Sequence, residues 1–397
     1  MFQALPAQAP EGLMATMAAF AADRAPDKLD LGVGVYRNEA GATPVMAAVR
    51  AAEAAMLARQ TTKAYVGFGG NRPFAAFVEE LVLGAAHPAR AAGRVQTLQT
   101  PGGCGALRLA ADLVLRAGHG ARVVVSDPTW PNHVPLIGGA GLAVDTYPYY
   151  DAPSGTVDFD AMLAALERLA AGSVVVLHGS CHNPTGADLT REQWLAVTEL
   201  LGRRGLLPLV DLAYQGLGEG LEADAAPVRL LAERLPEVLV AASCAKNFGL
   251  YRERTGAVIA IAATQREAEI CMSHLQLLAR RTWSFPPDHG AAIVATIAAD
   301  AALRAQWAAE LEAMRLRVAA QRLRLAAALR ECFGAPRFDY VGGQRGMFSL
   351  LGLAPEAVRA LAAEHHVYIA ADSRINIAGL PEPQVERLAR ALRAVSA

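Results

Sequence analysis

The sequence carries no excess of charge of either sign. Its 397 residues include 37 lysines and arginines against 38 aspartates and glutamates, with no long run of like charge. A protein that binds nucleic acid through its surface needs a basic excess, because neutralising the phosphates supplies much of the affinity. We therefore expect no nucleic-acid partner.

Cysteine is also scarce. The chain has five cysteines and no Cys-x-x-Cys pair, a set that favours neither a disulfide framework nor a thiolate metal site. We expect no bound metal ion. The first ten residues lack the basic and apolar segments of a secretory signal. Because no apolar run reaches the roughly 18 residues that a membrane span requires, we predict a cytoplasmic protein with reduced thiols and no membrane partner.

Apolar residues, by contrast, are plentiful, at 53% of the chain. A chain of 397 residues exceeds the size at which a single hydrophobic core keeps growing, so two domains are expected. We predict a large domain over residues 44–312. A smaller α+β domain is predicted from residues 1–43 and 313–397, with a long helix over residues 301–330 linking the two.

The middle of the chain alternates apolar runs with stretches of helical periodicity. The runs are 122–126 and 173–178, which are rich in β-branched residues, and 206–210 and 238–242. The helical stretches are 106–117, 190–202 and 227–235. Such alternation predicts βαβ units. The expected fold class is α/β, with a large, mainly parallel mixed sheet flanked by helices.

Polar residues follow three of these runs. Asn183 comes shortly after the second run, Asp211 directly after the third and Lys246 shortly after the fourth. Because ligands in open α/β sheets bind at the carboxyl ends of the strands, we expect these side chains to converge. A desolvated lysine can lose its proton near neutral pH and attack a carbonyl to form a Schiff base. The alternative is a surface lysine with its amine in water.

The neighbouring polar and aromatic residues allow two interpretations each. Asp211 could keep a heteroaromatic nitrogen protonated, or it could serve as a turn aspartate. Asn183 could donate to a ring oxygen, or form an Asx turn in its Asn-Pro-Thr-Gly run. Tyr214 could place a phenol near the same ring. Trp130 could stack on a planar cofactor, or anchor its proline-bounded loop to the core.

Glycines and arginines complete the set. The glycine-rich run 102–105 precedes the helix predicted from residue 106, where it could hold a phosphate or form a flexible turn. Arg254, Arg280 and Arg374 could bind phosphate or carboxylate groups, or could be surface residues with weak ion pairs. A lysine, an aspartate, a phosphate cup and carboxylate-binding arginines together are the parts of a pyridoxal phosphate enzyme.

With these residues in place, the chain resembles the aspartate and aromatic-amino-acid aminotransferases, the fold-type-I pyridoxal phosphate enzymes of class I, over essentially its whole length. The segments that carry the resemblance are 34–37 (GVYR), 126–133 (SDPTWPNH), 177–186 (LHGSCHNPTG), 211–216 (DLAYQG), 246–251 (KNFGLY) and 373–376 (SRIN). The runs 282–290 and 372–379 look closest to the bacterial aromatic-amino-acid enzymes.

The resemblance implies a role for each residue around the cofactor ring. Lys246 would bind pyridoxal phosphate covalently and then shuttle a proton between the substrate and the cofactor. Asp211 would pair with the ring nitrogen, with His133 behind it. Trp130 would stack on the ring and also face the substrate. Asn183, likewise near the substrate, would contact the ring's phenolic oxygen.

The resemblance implies that Tyr214, together with Asn183, contacts the ring's phenolic oxygen. It also implies which residues bind the phosphate. The phosphate would be held by Ser243, Arg254 and the backbone of Gly103 and Cys104. Tyr65 would reach the phosphate of the neighbouring subunit, which makes it the third predicted catalytic residue beside Lys246 and Asp211.

For the substrate, the resemblance implies two arginines. Arg374 would bind the α-carboxylate, near Gly34. Arg280, from the neighbouring subunit, would meet the side-chain carboxylate of aspartate or glutamate. For an aryl substrate we expect Arg280 to swing away, or water to fill in, leaving an apolar slot lined by Trp130 and Phe348.

Four positions need comment against the family pattern. Gly102 and Cys104 stand where many relatives carry serine and threonine, and Ala245 stands where serine is usual. Fewer hydroxyl contacts to the phosphate are therefore expected. Arg281 directly follows Arg280, and the spacing to the Ser-Phe-Pro run favours Arg280 as the substrate residue.

The expected activity is transfer of the α-amino group of aromatic amino acids (tyrosine, phenylalanine or tryptophan) or of aspartate to 2-oxoglutarate, in two ping-pong half-reactions. The expected partners are amino acids, 2-oxo acids and a second copy of the chain, in a homodimer with shared active sites. Three alternatives stay open: an aspartate-preferring aminotransferase, a β-decarboxylase or lyase on the same scaffold, and a non-catalytic regulator.

Overall fold

The computed structural model describes residues 2–7, 12–118 and 122–396. It divides into two compact units. The larger unit comprises Pro44–Asn183 and Ala187–Arg317, and the smaller comprises Met1–Thr43, Pro184–Gly186 and Val318–Ala397. The domain boundaries expected from the sequence, 1–43, 44–312 and 313–397, stay a prediction.

The described residues form thirteen strands. They are β1 (Leu29–Asp30), β2 (Val95–Pro101), β3 (Val123–Asp127), β4 (Val144–Pro148), β5 (Tyr150–Asp151), β6 (Thr156–Val157), β7 (Val174–His178), β8 (Leu207–Leu212), β9 (Val238–Ser243), β10 (Thr255–Ile261), β11 (Phe348–Leu350), β12 (Val367–Tyr368) and β13 (Arg374–Asn376).

The same residues form fifteen α-helices. They are α1 (Gly12–Ala22), α2 (Ala47–Arg59), α3 (Arg72–Leu83), α4 (Pro88–Ala91), α5 (Gly102–Ala117), α6 (His133–Gly138), α7 (Phe159–Leu166), α8 (Arg191–Arg204), α9 (Leu221–Arg234), α10 (Gln265–Thr282), α11 (His289–Ala299), α12 (Ala301–Phe333), α13 (Tyr340–Gly343), α14 (Pro355–His365) and α15 (Val385–Val395). In the part of the chain that the structure describes, no helix is long and apolar enough to cross a membrane.

The larger unit is built on a seven-stranded sheet with the strand order β2-β10-β9-β8-β7-β3-β4. The four neighbouring pairs from β9 to β4 are parallel, and β10 runs antiparallel to both β2 and β9. This sheet, flanked by helices, confirms the predicted α/β class. The four apolar runs identified in the sequence lie in β3, β7, β8 and β9.

These strands are apolar along their whole length because helices cover both faces of the sheet. Every residue of β7, β9 and β10 is buried. On one face, Leu107 and other apolar residues of α5 pack into a cluster with Val125 and Val258. A parallel sheet buried on both sides produces continuous apolar runs rather than alternation. In β7, β8 and β9 the same burial confines the polar side chains to the last residues of the strand and to the loop beyond it.

Two helices begin earlier than the sequence indicated. Helix α5 begins at Gly102 rather than at residue 106, so the glycines form its first turn. Helix α9 begins at Leu221 rather than at residue 227, with Pro227 inside it. Proline favours the first helical position, but the carboxylate of Asp224 accepts backbone N–H groups from the loop just before this helix and fixes its start there.

The smaller unit is an α+β arrangement with two short strand pairs. Strand β1 pairs in parallel with β12. Strand β11 pairs antiparallel with β13, which places Phe348 opposite Asn376 and Leu350 opposite Arg374. The strand expected over residues 373–378 ends at Asn376, because Ile377–Gly379 turn into a 3-10 helix.

Candidate active site

A single cavity of the larger unit brings together residues from the strand ends and their loops. Nine of the residues predicted to bind the cofactor line it: Gly103, Cys104, Trp130, Asn183, Asp211, Tyr214, Ser243, Lys246 and Arg254. They come from positions spread over about 150 residues of sequence. The parallel strands β7, β8 and β9 place them at one edge of the sheet.

Lys246 lies three residues beyond the end of β9. Its loop continues the ladder between β9 and β10, because the backbone N–H of Cys244 donates to the carbonyl of Thr255 at 3.0 Å. The Nζ atom lies 4.8 Å from the centroid of the Tyr214 ring. A cation near an aromatic face is stabilised by the ring quadrupole. The amine is therefore held inside the cavity and beside the Tyr214 phenol.

The loop after Lys246 is fixed from beneath by Trp307, a residue of α12 that is 1% exposed. Its indole Nε1–H donates to the carbonyl of Asn247 at 2.8 Å. Its ring stacks on Phe248, with centroids 4.4 Å apart and planes 4° from parallel. Trp307 has no signal in the local sequence, because it contacts this loop across a separation of sixty residues.

Asp211 lines the same cavity and is 8% exposed. Its Oδ2 is 3.1 Å from Nε2 of the fully buried His133. Burial alone would raise the pKa of the Asp211 carboxyl, but the hydrogen bond from His133 and the electrostatic influence of the neighbouring imidazoles and of Lys246 lower it. The side chain is thus kept as a carboxylate in a buried place.

A chain of hydrogen bonds leads from the backbone to Asp211. The N–H of Asn183 donates to Nδ1 of His178 at 3.5 Å. Burial first, and then neighbouring histidines, lower the pKa of His178 well below its usual range, so its ring is neutral. A neutral imidazole that accepts at Nδ1 donates from Nε2, and Nε2 of His178 lies 3.3 Å from the Thr129 hydroxyl.

The same argument extends to the carboxylate. The Thr129 hydroxyl has one proton, which it donates to Nδ1 of His133 at 2.8 Å. His133 then donates from Nε2 to Asp211, so every bond of the chain points toward the carboxylate. Of these residues, only His133 was predicted from the sequence. His178 could also have been found, because it is paired with Asp211 at the ends of β7 and β8, whereas Thr129 has no such signal.

The amino end of α5 forms an anion-binding cup with Ser243 and Arg254. Gly102 has a φ of +70°, and a Cβ there would lie 2.7 Å from Nη2 of Arg254. A Cβ on Gly103 would lie 3.3 Å from Cβ of Ser243. Backbone N–H groups at a helix amino end attract anions. A side chain at Gly102 would therefore be strained at this positive φ and would require the guanidinium of Arg254 to move.

Two further side chains complete the cavity. The amide of Asn183 donates to the hydroxyl of Tyr214 at 3.2 Å, which joins two groups predicted to meet the same ring oxygen. The indole of Trp130 meets His133 edge-on, with centroids 5.3 Å apart and planes at 88°. The arrangement thus offers an amine, a carboxylate, a phenol, a flat aromatic group and an anion cup.

Three predicted substrate residues lie together in the smaller unit. Arg374, on β13, is 8% exposed and donates from Nη2 to the carbonyl of Gly32 at 3.1 Å. Its Cζ lies 4.3 Å from the centroid of the Phe348 ring. A Cβ on Gly34 would lie 2.7 Å from Cζ of Phe348. The ring therefore has Gly34 at its tip and the guanidinium over its face.

The remaining two predicted residues, Tyr65 and Arg280, lie on the surface of the larger unit. Tyr65 is 84% exposed, and its ring stacks on Phe285 with centroids 4.7 Å apart. Phe68 stacks on Phe285 as well, with ring centroids 4.9 Å apart. The guanidinium Cζ of Arg280 lies 5.4 Å from the Phe68 centroid, and Arg280 also hydrogen-bonds Ser284. These residues do not line the cavity of their own chain.

Comparison with known proteins shows one family throughout. The model of the family described as Aminotransferase class I and II matches residues 26–392. The aromatic-amino-acid aminotransferase of Paracoccus denitrificans is 50% identical over 385 residues, with 97% of each chain covered. The aspartate aminotransferase of Escherichia coli (strain K12) is 42% identical over 395 residues, with 100% of each covered.

Among solved structures, the aromatic-amino-acid aminotransferase from Burkholderia pseudomallei covalently bound to pyridoxal phosphate is similar to this chain at a TM-score of 0.97 and 43% identity. The alignment covers 100% of this chain and 99% of that one.

Proposed function

Because the chain belongs to the family of class I and class II aminotransferases, we propose that it transfers the α-amino group of aromatic amino acids, and of aspartate, to 2-oxoglutarate with pyridoxal phosphate as its cofactor. The observation that supports this most is the shared cavity, in which the amine of Lys246, the ionised carboxylate of Asp211 and the anion cup of α5 meet.

The residues of the cavity fit pyridoxal phosphate. Lys246 would bind it covalently through Nζ, and Asp211 would keep the ring nitrogen protonated, since an ion pair favours the charged form of both partners. Ser243, Arg254 and the backbone of Gly103 and Cys104 would bind the phosphate. Gly102 and Gly103 pack closely against Arg254 and Ser243, so these two positions of the cup carry no side chain that would occupy the phosphate site.

Two more side chains would orient the ring. Asn183 and Tyr214, already hydrogen-bonded to each other, would bind its phenolic oxygen, and Trp130 would cover one face. When bound, the cofactor supplies an electron-accepting ring. Nζ of Lys246, held beside Tyr214 and released when the substrate amine takes its place on the cofactor, would accept the proton that leaves the substrate α-carbon and donate it to the cofactor. The aromatic rings of Trp130 and Tyr214 would exclude water from the cavity and so protect that proton from exchange with solvent.

Arg374 would bind the α-carboxylate shared by all amino acid substrates, since a planar guanidinium matches a carboxylate with two parallel bonds. Specificity would then depend on the other end of the substrate. Phe348 packs beneath Arg374 and is 2% exposed, so it would act on substrate binding by supporting that arginine, and its predicted place in an aryl slot stays a prediction. Arg280 would bind the distal carboxylate of aspartate, and the contact of its guanidinium with Phe68 offers it a resting place when the substrate is aromatic.

We also propose a homodimer with shared active sites, working in the cytoplasm. Tyr65, Phe68 and Phe285 form an exposed aromatic cluster with Arg280 beside it, and clustered exposed aromatic groups are typical of protein interfaces. A second copy of the chain would cover this cluster and receive Tyr65 and Arg280 in its own cavity. The five cysteines, all present as thiols in the described residues, suit a reducing compartment.

The proposal is tested by half-reactions of the cofactor-loaded protein with phenylalanine, tyrosine, tryptophan and aspartate, followed by 2-oxoglutarate. We expect a 2-oxo acid from each donor and amino transfer to 2-oxoglutarate, and Lys246→Ala should lose both by at least about a thousandfold. Release of carbon dioxide or ammonia in place of amino transfer would point to a lyase. Failure with every donor, in a protein that binds the cofactor, would point to a regulator.

An aspartate-preferring enzyme is the second candidate, because relatives with that name also match over the full chain. Arg280→Ala separates the two. Loss of a charged hydrogen bond should lower the specificity constant for aspartate by about 10- to 100-fold and leave that for phenylalanine within about twofold. A wild-type constant for aspartate well above those of all three aromatic donors would favour the second candidate.

A further inference from the structure

Arg322 is a buried charge that the proposed chemistry does not use. It lies on α12 within the smaller unit and is 2% exposed. An arginine is almost never this buried unless its guanidinium is fully engaged. Its donors reach one short segment of chain: the carbonyls of Val341 (3.1 Å), Arg345 (2.9 Å), Gly346 (2.8 and 3.0 Å) and Phe348 (2.5 Å), and the hydroxyl of Ser349 (2.7 Å).

This one side chain therefore organises the backbone on both sides of Phe348. The fully buried hydroxyl of Ser349 accepts a hydrogen bond from Arg322 and donates one to Oε1 of Gln344 at 2.6 Å. Gly346 has a φ of +72°, a backbone conformation that side chains oppose. A turn of this kind, with its carbonyls gathered inward, keeps its shape only while a donor satisfies them.

The segment matters because Phe348 supports Arg374. The Phe348 ring is 2% exposed and lies 4.3 Å from the guanidinium carbon of Arg374. The Cζ atom at the tip of the ring faces Gly34, where a Cβ would be only 2.7 Å away. The ring therefore has Gly34 at its tip and the guanidinium over its face, so a displaced ring would press on one or the other. Because β11 is only three residues long, its own ladder is a weak constraint on where the ring lies.

We propose that Arg322 is a positioning residue for substrate carboxylate recognition: by holding the carbonyls around Phe348, it fixes the ring on which Arg374 is aimed at the α-carboxylate. The proposal rests on the proposed function of Arg374 in that binding. Arg322 itself touches no substrate. A guanidinium tilted away from its partner loses one of two parallel hydrogen bonds, so small movements of Phe348 have large effects on carboxylate affinity.

The test measures equilibrium binding of 3-phenylpropionate, an aryl monocarboxylate without an amine, to the cofactor-loaded protein. Arg322→Lys keeps the charge but reaches fewer of the acceptors. We expect the Kd of 3-phenylpropionate and the KM of phenylalanine to rise about 10- to 100-fold. The affinity for pyridoxal phosphate and kcat should stay within about twofold of wild type, since the cofactor residues belong to the larger unit.

Arg324→Lys is the matched control, because Arg324 lies two residues away on the same helix, with its side chain 49% exposed and paired with Glu382. It should leave every constant unchanged. Phe348→Leu covers the possibility that Arg322 variants fold poorly. With Arg322 intact it should raise the same Kd, and adding Arg322→Lys to it should bring little further change, as expected for two residues that act in series.

Three outcomes overturn the proposal. The first is an Arg322→Lys protein that binds 3-phenylpropionate as wild type does. The second is a parallel loss of cofactor affinity and kcat, which would indicate general damage to the fold. The third is full additivity with Phe348→Leu. Arg374→Ala separates this inference from the proposed function: no change in probe binding there would remove the proposed role of Arg374 itself.

Discussion

The two groups of residues proposed to act on the substrate are held in place by different means. In the larger unit, Lys246 and Asp211 lie at the ends of strands that are buried along their length and paired on both sides. In the smaller unit, Arg374 lies on the three-residue strand β13. The strand paired with it, β11, and the turn before β11 are held by hydrogen bonds from the buried Arg322. A long ladder positions its end residues through the backbone. Where strands are short, side-chain donors to the backbone take over that work.

The largest effect should come from Asp211, whose place is set by the backbone and whose charge does the chemistry. Asp211→Asn keeps the shape and removes the charge. A buried charge partner contributes about 3–5 kcal/mol, and each factor of ten in rate corresponds to about 1.4 kcal/mol. We therefore expect kcat to fall about a thousandfold while Tm stays within a few degrees of wild type.

Asp224→Asn is the control for this change. Asp224 is also a buried carboxylate of the larger unit, but it accepts N–H groups of Gly216, Gly218 and Glu219, and burial is the main cause of its raised pKa. Its substitution should cost about 1–3 kcal/mol of stability with little change in kcat. Equal losses of activity from both variants would contradict the distinction between positioned charge and structural carboxylate.

Features that depend on the strands could be predicted from the sequence, whereas features that depend on contacts between distant side chains could not. The fold class could be predicted, because continuous apolar runs between helical stretches are typical of a covered parallel sheet. The convergence of Asn183, Asp211 and Lys246 followed from their places after strands. Helix α5 began four residues before its predicted start, because a glycine run is equally compatible with a loop and with a first helical turn.

What could not be predicted depends on contacts between distant segments. Trp307 meets Asn247 across sixty residues, and Arg322 meets a segment about twenty residues away. Neither has a local pattern, since an arginine in an arginine-rich helix and a tryptophan in an alanine-rich one both suggest ordinary helix positions. Tyr65 and Arg280 were assigned through the family resemblance, and the exposed surface on which they lie has no signature in the sequence.

Trp307 tests this difference between the two units. In the larger unit, where strand ladders position the site residues, Trp307 is a side chain that donates to the backbone. Trp307→Phe keeps the stacking on Phe248 and removes only the N–H donor to Asn247. An unsatisfied buried carbonyl costs about 1–3 kcal/mol. Because the ladder from β9 still holds Cys244, we expect the Kd of pyridoxal phosphate to rise only about fivefold to tenfold, far less than the loss expected for Asp211→Asn in kcat.

Trp194→Phe serves as the matched control, since Trp194 is 5% exposed and lies on α8, away from the cavity-lining set. Its Kd for pyridoxal phosphate should match wild type, whatever its effect on Tm. A thousandfold loss of cofactor affinity in Trp307→Phe would mean that the lysine loop depends on a single side chain. The two regions would then be built alike, and the comparison would fail.

The smallest effect concerns a contact at the edge of the smaller unit, where again side chains hold a segment. The backbone N–H of Ala25, the hydroxyl of Tyr368 and the ring of His366 together lower the pKa of the Asp23 carboxyl to about 2. These groups join the end of α1 to β12, with Oδ2 of Asp23 lying 2.8 Å from both side chains.

A carboxyl whose pKa is lower in the folded chain stabilises it fully above its ordinary pKa of about 3.8 and ceases to do so as the pH falls through about 2. The difference in urea midpoint between wild type and Asp23→Asn should therefore stay constant from pH 6 to about 4.5 and shrink below pH 4. Taking the difference removes the contribution of other carboxyls. Tyr368→Phe should weaken the same dependence, because it removes one of the three donors. A difference that grows as the pH falls would show that the unfolded chain, rather than this contact, determines the titration.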